Sequence, residues 1–298
     1  MLNSVNSGGL QKCIYPSSEA PAQTMVQDAL VSGVGKELSL PDFAALALVC
    51  KAWEKMIQPN IEKKALEVVL FGRDKWLGLP GVRAVSEEPT LTEDQKKAII
   101  AKLKSPCEFF NDKDSVQPHR FQNDKIKRVW QTQKRIFFPE TINGEPRTIN
   151  SQNKLFHFIK EVDDGNAFEF IVGEEKDAFR NQPAPKSYWA WVTLDVVPGS
   201  RGILHDKKVS LFTGKGYRDP TPNEAVTSNL ILNLGPSKEK QGYFFGRVGK
   251  WRTYTATSEL YNTWRLIVGA AAPSGPKVNS TTMMTTSFVG VAGVAEVP

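Results

Sequence analysis

No run of apolar residues in this 298-residue chain reaches the roughly 18 needed to span a bilayer. The mean hydropathy of −0.33 agrees, so no membrane span is expected. Cysteine is scarce. Cys13, Cys50 and Cys107 are far apart and odd in number, which argues against a disulfide framework and suits a reducing compartment. Histidine is as sparse, at positions 119, 157 and 205. No pair of cysteines or histidines has metal-ligand spacing, so neither a structural zinc site nor any other cofactor is expected. Residues 1–24 are rich in Ser, Asn, Gly and Pro but lack a charged start and an apolar centre, so they do not read as a cleavable secretory signal. No repeat of fixed period runs along the chain.

What is present begins with enough apolar material for a core. At 40% hydrophobic residues, the chain can hold one large domain plus a small module. The clearest local signal spans Ser39 to Ile57. Ser39-Leu40-Pro41-Asp42 fits a capping box, and Pro41 in the first turn costs little because its missing N–H would have had no partner. Phe43, Leu46, Cys50, Trp53 and Ile57 recur at steps of three and four and form one stripe, with Val49, Ala52 and Met56 beside it. Lys51, Glu54 and Lys55 fill only a narrow polar sector. A helix so apolar must be covered on more than one side, by its own chain or by a partner.

The string Asp42-Phe43-Ala44-Ala45-Leu46-Ala47-Leu48-Val49-Cys50-Lys51-Ala52-Trp53 resembles the second half of an F-box. It departs from the family pattern only at Phe43, where Leu is usual. In the same register Leu38, Val34 and Leu30 stand at apolar positions of the family's first helix. Gln27 replaces a typical Pro and Gly35 a bulky apolar residue, and Gly33 and Gly35 each weaken a helix by about 1 kcal/mol relative to Ala.

The rest of the chain is similar to F-box family proteins of chlamydia-like symbionts of amoebae. The likeness lies in Lys75-Trp76, Leu103-Lys104-Ser105-Pro106-Cys107, Thr141-Ile142-Asn143-Gly144-Glu145-Pro146, Ser187-Tyr188-Trp189, Pro198-Gly199-Ser200-Arg201, Leu266-Ile267-Val268-Gly269 and Ala272-Pro273-Ser274-Gly275. The resemblance implies an F-box-type substrate receptor, a bacterial effector secreted into the host cytoplasm, with type III secretion as the implied route. Its partners would be the Skp-type adaptor of a host SCF ubiquitin ligase and a host target protein. The residues implied in adaptor docking are Leu30, Val34, Leu38, Pro41, Phe43, Leu46, Val49 and Trp53.

The expected architecture is α+β: a polar tail over 1–24, a helical F-box-like module over 25–71, and a larger mixed domain over 72–298 with a mainly antiparallel sheet. Helix is expected from Ile57 to Phe71, then a loop-rich stretch to Pro89. Thr92 with Gln95 caps a helix that Ser105-Pro106 ends. Strands follow at Arg135–Phe138, with a turn at Asn143-Gly144 and an edge or irregular strand at Pro146. Trp189 to Val197 is apolar on both faces and reads as a central buried strand. Further strands are expected at Leu230–Leu234, Tyr243–Val248, Trp264–Val268 and Phe288–Val294, with helices at Lys154–Val162 and Glu174–Phe179.

Catalytic readings fare less well. Gly33-Val34-Gly35-Lys36 and Thr213-Gly214-Lys215-Gly216 evoke phosphate loops, but Leu30 and Val209 occupy the opening glycine positions and Glu37 replaces the magnesium-holding hydroxyl. Cys107 can pair arithmetically with His119, His157 or His205, though nothing near it would lower a thiol pKa. Asp163-Asp164 and Glu87-Glu88 lie in polar, turn-like segments and read as solvated. No catalytic residue is assigned and no enzymatic activity is expected; an effector enzyme in the C-terminal part is the alternative. Lysine and arginine exceed aspartate and glutamate by 38 to 32. The run Lys125-Ile126-Lys127-Arg128-Val129-Trp130 through Lys134-Arg135 is either a solvated helix face or a patch for nucleic acid or lipid. The solvated face is the expectation, so no nucleic-acid partner is called.

Overall fold

The computed structural model describes residues 63, 66–67, 69–110, 127–160, 177–234, 247–248, 251–252, 254–261, 264–272, 275–281 and 288–296. The expected F-box-like module therefore lies almost wholly outside the described residues. The elements described belong to one unit, Ala65–Pro298. That unit is α+β with mainly antiparallel pairing.

One four-stranded sheet runs in the order β1 (Leu70–Phe71), β2 (Gln133–Phe138), β5 (Tyr188–Thr193), β12 (Val294–Glu296). β1 lies parallel to β2, and the other pairings are antiparallel. Leu70–Phe71 leaves the expected helix because its backbone pairs with Arg135 and Ile136. β5 is central, with Trp191 opposite Arg135 on one side and Ala295 on the other. Its residues from Trp189 to Thr193 are buried, as two apolar faces require.

The second sheet runs β10 (Gly275–Thr281), β9 (Trp264–Ala272), β8 (Tyr254–Tyr261), β11 (Val289–Gly290). β11 and β12 are consecutive, so the expected Phe288–Val294 strand is really a crossing from one sheet to the other. The backbone of Val291-Ala292-Gly293 breaks its ladder there and needs other partners. Ser200 Oγ accepts from Val291 N at 3.0 Å, Thr255 Oγ1 from Ala292 N at 2.8 Å, and Thr193 Oγ1 from Gly293 N at 2.9 Å. Three buried hydroxyls thus replace sheet bonds at the crossing.

Two ribbons complete the strands among the described residues. β3 (Thr141–Ile142) and β4 (Glu145–Pro146) flank Asn143 and Gly144, both at positive φ (55° and 80°), the geometry of a type I′ hairpin. Asn143 also ties the turn to the preceding loop: its Oδ1 accepts from Arg83 N and Ala84 N, and its Nδ2 donates to Gly81 O. β4 is exposed, as Pro146 implied. β6 (Arg247–Val248) pairs with β7 (Trp251–Arg252).

Among the helices, α1 (Arg73–Leu77) falls inside the stretch expected to be loop. Trp76 explains it: the indole is fully buried and donates to Phe137 O at 2.8 Å, so tertiary contact fixes the turn. α2 (Glu93–Lys104) carries the expected Thr92–Gln95 capping box and ends at Ser105. α3 (Val129–Thr132) leads into β2. α4 (Ile149–Lys160) starts five residues before the expected Lys154, and α5 (Asp177–Asn181) overlaps the expected 174–179 helix. α6 (His205–Ser210) is followed by turns over 211–216, so Thr213-Gly214-Lys215-Gly216 is a turn and no phosphate loop.

The main correction is α7 (Pro222–Leu234). Leu230–Leu234, expected as strand, is its last part. α7 packs against both sheets and α4. Ala225, Val226, Leu230 and Ile231 are buried, and so are Glu224, Thr227, Ser228 and Asn229. A helix buried all round shows no amphipathic period, and its polar residues must find partners within. Thr227, Ser228 and Asn229 do so by donating to the carbonyls four residues back, at 2.7, 2.8 and 2.9 Å.

Candidate functional site

The polar residues that sequence alone did not mark converge at the N-terminus of α7. Thr221 caps the helix: its Oγ1 accepts from Glu224 N at 3.2 Å, and Glu224 Oε2 accepts from Thr221 N at 2.7 Å. Pro222 sits in the first helical position, where its ring is pre-organised. The Thr221-Pro222-Asn223-Glu224 pattern is the signal that would have revealed this helix start.

Glu224 is buried, and its carboxylate collects four donors. Arg218 gives Nη1 to Oε2 at 2.8 Å and Nη2 to Oε1 at 2.7 Å, a fork-to-fork pair. Tyr188 OH adds a bond of 2.6 Å and Thr221 N the fourth. Burial alone would raise the Glu224 pKa; the Arg218 pair, Tyr188 and the backbone N–H override it and hold the carboxyl below its usual range. Burial, reinforced by the Glu224 charge, pushes the Tyr188 phenol up. Arg218 Nη2 also reaches Glu296 Oε1 at 2.9 Å.

Arg147 stands beside this group and is fully buried. Its Nε donates to Pro139 O at 2.5 Å, and Nη1 to Asn223 Oδ1 at 3.0 Å and Thr227 Oγ1 at 2.9 Å. Gln152 closes the ring of bonds by donating to Asn223 Oδ1, and its Oε1, 2.8 Å from Thr227 Oγ1, shares that hydroxyl's one proton with Asn223 O. The network joins α4, α7 and β5 and leaves no reacting pair within it. Its chemistry is that of a clamp.

Two cavities open around this clamp, and Lys186, Tyr188 and Glu296 line both. One, of about 130 Å³, is bounded by Arg147, Arg218, Glu224 and Glu259 among others. The other, of about 370 Å³, is bounded by Arg135, Gln95, Pro89, Leu91 and Trp189.

The other candidates sort as follows. Cys107 is buried, with Gln133 Nε2 donating to its sulfur at 3.7 Å, while Gln133 Oε1 accepts from Tyr217 OH at 2.6 Å. His205 pairs instead with Asp219, Nε2 to Oδ2 at 3.2 Å. His119 and Asp163-Asp164 lie outside the described residues. Glu87 is exposed as expected, but Glu88 is half-buried and accepts from Arg73 N; burial raises its pKa. The basic run is not a solvated face: Lys127, Lys134 and Arg135 are buried, and only Arg128 among its described cations is exposed. Strand β2 carries Lys134 and Arg135 into the interior because it pairs on both edges. Among the described residues no cluster of His, Cys, Asp or Glu could hold a metal ion, and no helix is long and apolar enough to cross a membrane. Leu30, Val34, Leu38, Pro41, Phe43, Leu46, Val49 and Trp53 all lie outside the described residues.

No family model, curated protein or solved structure matches this chain.

Proposed function

We propose that the chain is an F-box-type substrate receptor. Its apolar segment around Leu46 docks on the Skp-type adaptor of an SCF ubiquitin ligase, and the Ala65–Pro298 unit engages the protein to be modified. The observation that carries this is the Asp42–Trp53 string, whose apolar residues recur at helical spacing in the sequence behind a Ser39-Leu40-Pro41-Asp42 capping-box pattern. The buried clamp at α7 supports a rigid, non-catalytic role for the larger unit. Catalysis would then come from effective concentration: tethering converts an encounter into an intramolecular event, and the partner enzymes do the chemistry. The same resemblance makes the protein a bacterial effector acting in the host cytoplasm after type III secretion.

Leu38, Pro41, Phe43, Leu46, Val49 and Trp53 carry docking, with Leu30 and Val34 contributing from the weaker first half. Large apolar anchors at such interfaces cost about 2 kcal/mol or more when truncated. Purified full-length protein should therefore capture a Skp-type adaptor, and the Leu46→Ala, Trp53→Ala double variant should not. The near-ultraviolet circular dichroism should keep its intensity in the variant. Undiminished capture by the double variant would end this reading.

A further inference from the structure

Arg135 is a buried cation with no counter-charge among the described residues. It is 2% exposed and sits in β2 between Leu70 and Trp191 of the neighbouring strands. Its guanidinium lies 5.5 Å from the centroid of the Trp189 ring. Its Nε is buried and has no hydrogen-bond partner, and no described carboxylate forms an ion pair with it. Burial lowers its pKa to about 10, which leaves it charged at neutral pH. A desolvated guanidinium normally brings a carboxylate or hydrogen-bonded oxygens with it, because the isolated charge is costly. Arg147 in the same unit shows the usual solution, with Pro139 O, Asn223 and Thr227 as partners.

Arg135 lines the cavity of about 370 Å³, a volume within the range of small-molecule sites. Pro89, Leu91 and Trp189 give that cavity apolar walls, and Lys186 adds a second cation at its edge. The only carboxylate among the described lining residues, Glu296, is held by Arg218 at 2.9 Å and lies 3.8 Å from Lys186.

We propose that this cavity binds a small organic anion, a carboxylate or phosphate monoester on an apolar ring, with Arg135 as its charge partner and Trp189 and Leu91 against its body. A planar guanidinium is suited to either anion because it offers two parallel N–H groups. The inference does not rest on the adaptor reading.

Titration calorimetry of the full chain with 2-naphthoate, 1-naphthyl phosphate and the neutral 2-naphthamide tests it. At least one anion should bind about tenfold or more tightly than the amide, the difference expected of a charged hydrogen bond. The tighter of the two anions identifies the headgroup. Arg135→Met should remove that preference. Leu91→Trp, which fills the cavity and leaves Arg135 in place, should abolish binding and keeps the test open if Arg135→Met fails to fold. Equal affinity for anion and amide, absence of anion binding at millimolar concentration, or full binding by the Leu91→Trp protein would each overturn the proposal.

Discussion

Arg218 and Glu224 meet across the first turn of α7 in two parallel hydrogen bonds of 2.8 and 2.7 Å, with the carboxylate buried and the guanidinium partly open to solvent. The pair closes the capping box of Thr221 from outside the helix. It also links α7 to β12 through Glu296, so one ion pair holds the helix start, the sheet edge and Tyr188 together.

Glu224→Gln should therefore destabilise the unit by about 2–4 kcal/mol, since it leaves a cation facing a neutral amide in a buried place. The pH dependence follows from the sign of the shift. The folded carboxyl titrates below its ordinary value of 4.5, so its contribution is complete above that value and is lost as pH falls through the folded pKa. Urea unfolding from pH 7 down to 3 should show this loss in the wild type and a flatter profile in Glu224→Gln.

Lys134 gives the opposite behaviour. Burial, with the charge of Lys75 behind it, lowers its pKa from 10.5 to about 8. Below pH 8 the folded state bears the whole cost of the buried charge. Stability then rises between about pH 8 and 10.5, where only the unfolded chain still holds the proton. Lys134→Met should gain about 1–3 kcal/mol at pH 7 and lose part of that rise. Lys208, also lowered to about 8 by burial and neighbouring arginines, should supply a further part, with Lys75 and Lys102, which burial lowers as well. Thermal melts at pH 7 and 9.5 would detect both effects.

Gly290, where the chain begins to cross between sheets, leaves no room for a side chain. A Cβ there would meet Ser200 Oγ and Val196 Cβ, each at 2.7 Å. Gly290→Ala should cost about 1–3 kcal/mol, as overpacking typically does. Ser200 Oγ is also the acceptor for Val291 N, so any shift of Ser200 adds an unmet backbone N–H. Chemical denaturation of the variant should show a lower midpoint with an unchanged slope.

Elements with local causes were legible in the chain itself. The Thr92–Gln95 box, the stop at Ser105-Pro106 and the Asn143-Gly144 hairpin are set by side chain to backbone chemistry over a few residues, and β5 by apolar residues on both faces. α7 was not legible as a helix, because burial on all sides erased its period and the Leu-Ile-Leu-Asn-Leu alternation imitated a strand. Thr221 to Glu224 held the clue to its start. α1 exists because Trp76 reaches Phe137 O from 61 residues away.

What the sequence determined on its own was the α+β class, the turns and caps, and the apolar string around Leu46 on which the proposed docking rests. What only the tertiary structure decided was which charges are buried and with whom. Arg147, Glu224 and Arg135 look alike in one dimension as ordinary polar residues. Their partners, or the lack of one, come from strands and helices brought together across 76 to 80 residues for Arg147 and from a cavity wall for Arg135. The physical reason is that desolvation depends on everything that surrounds a charge, and sequence neighbours supply only a small part of it.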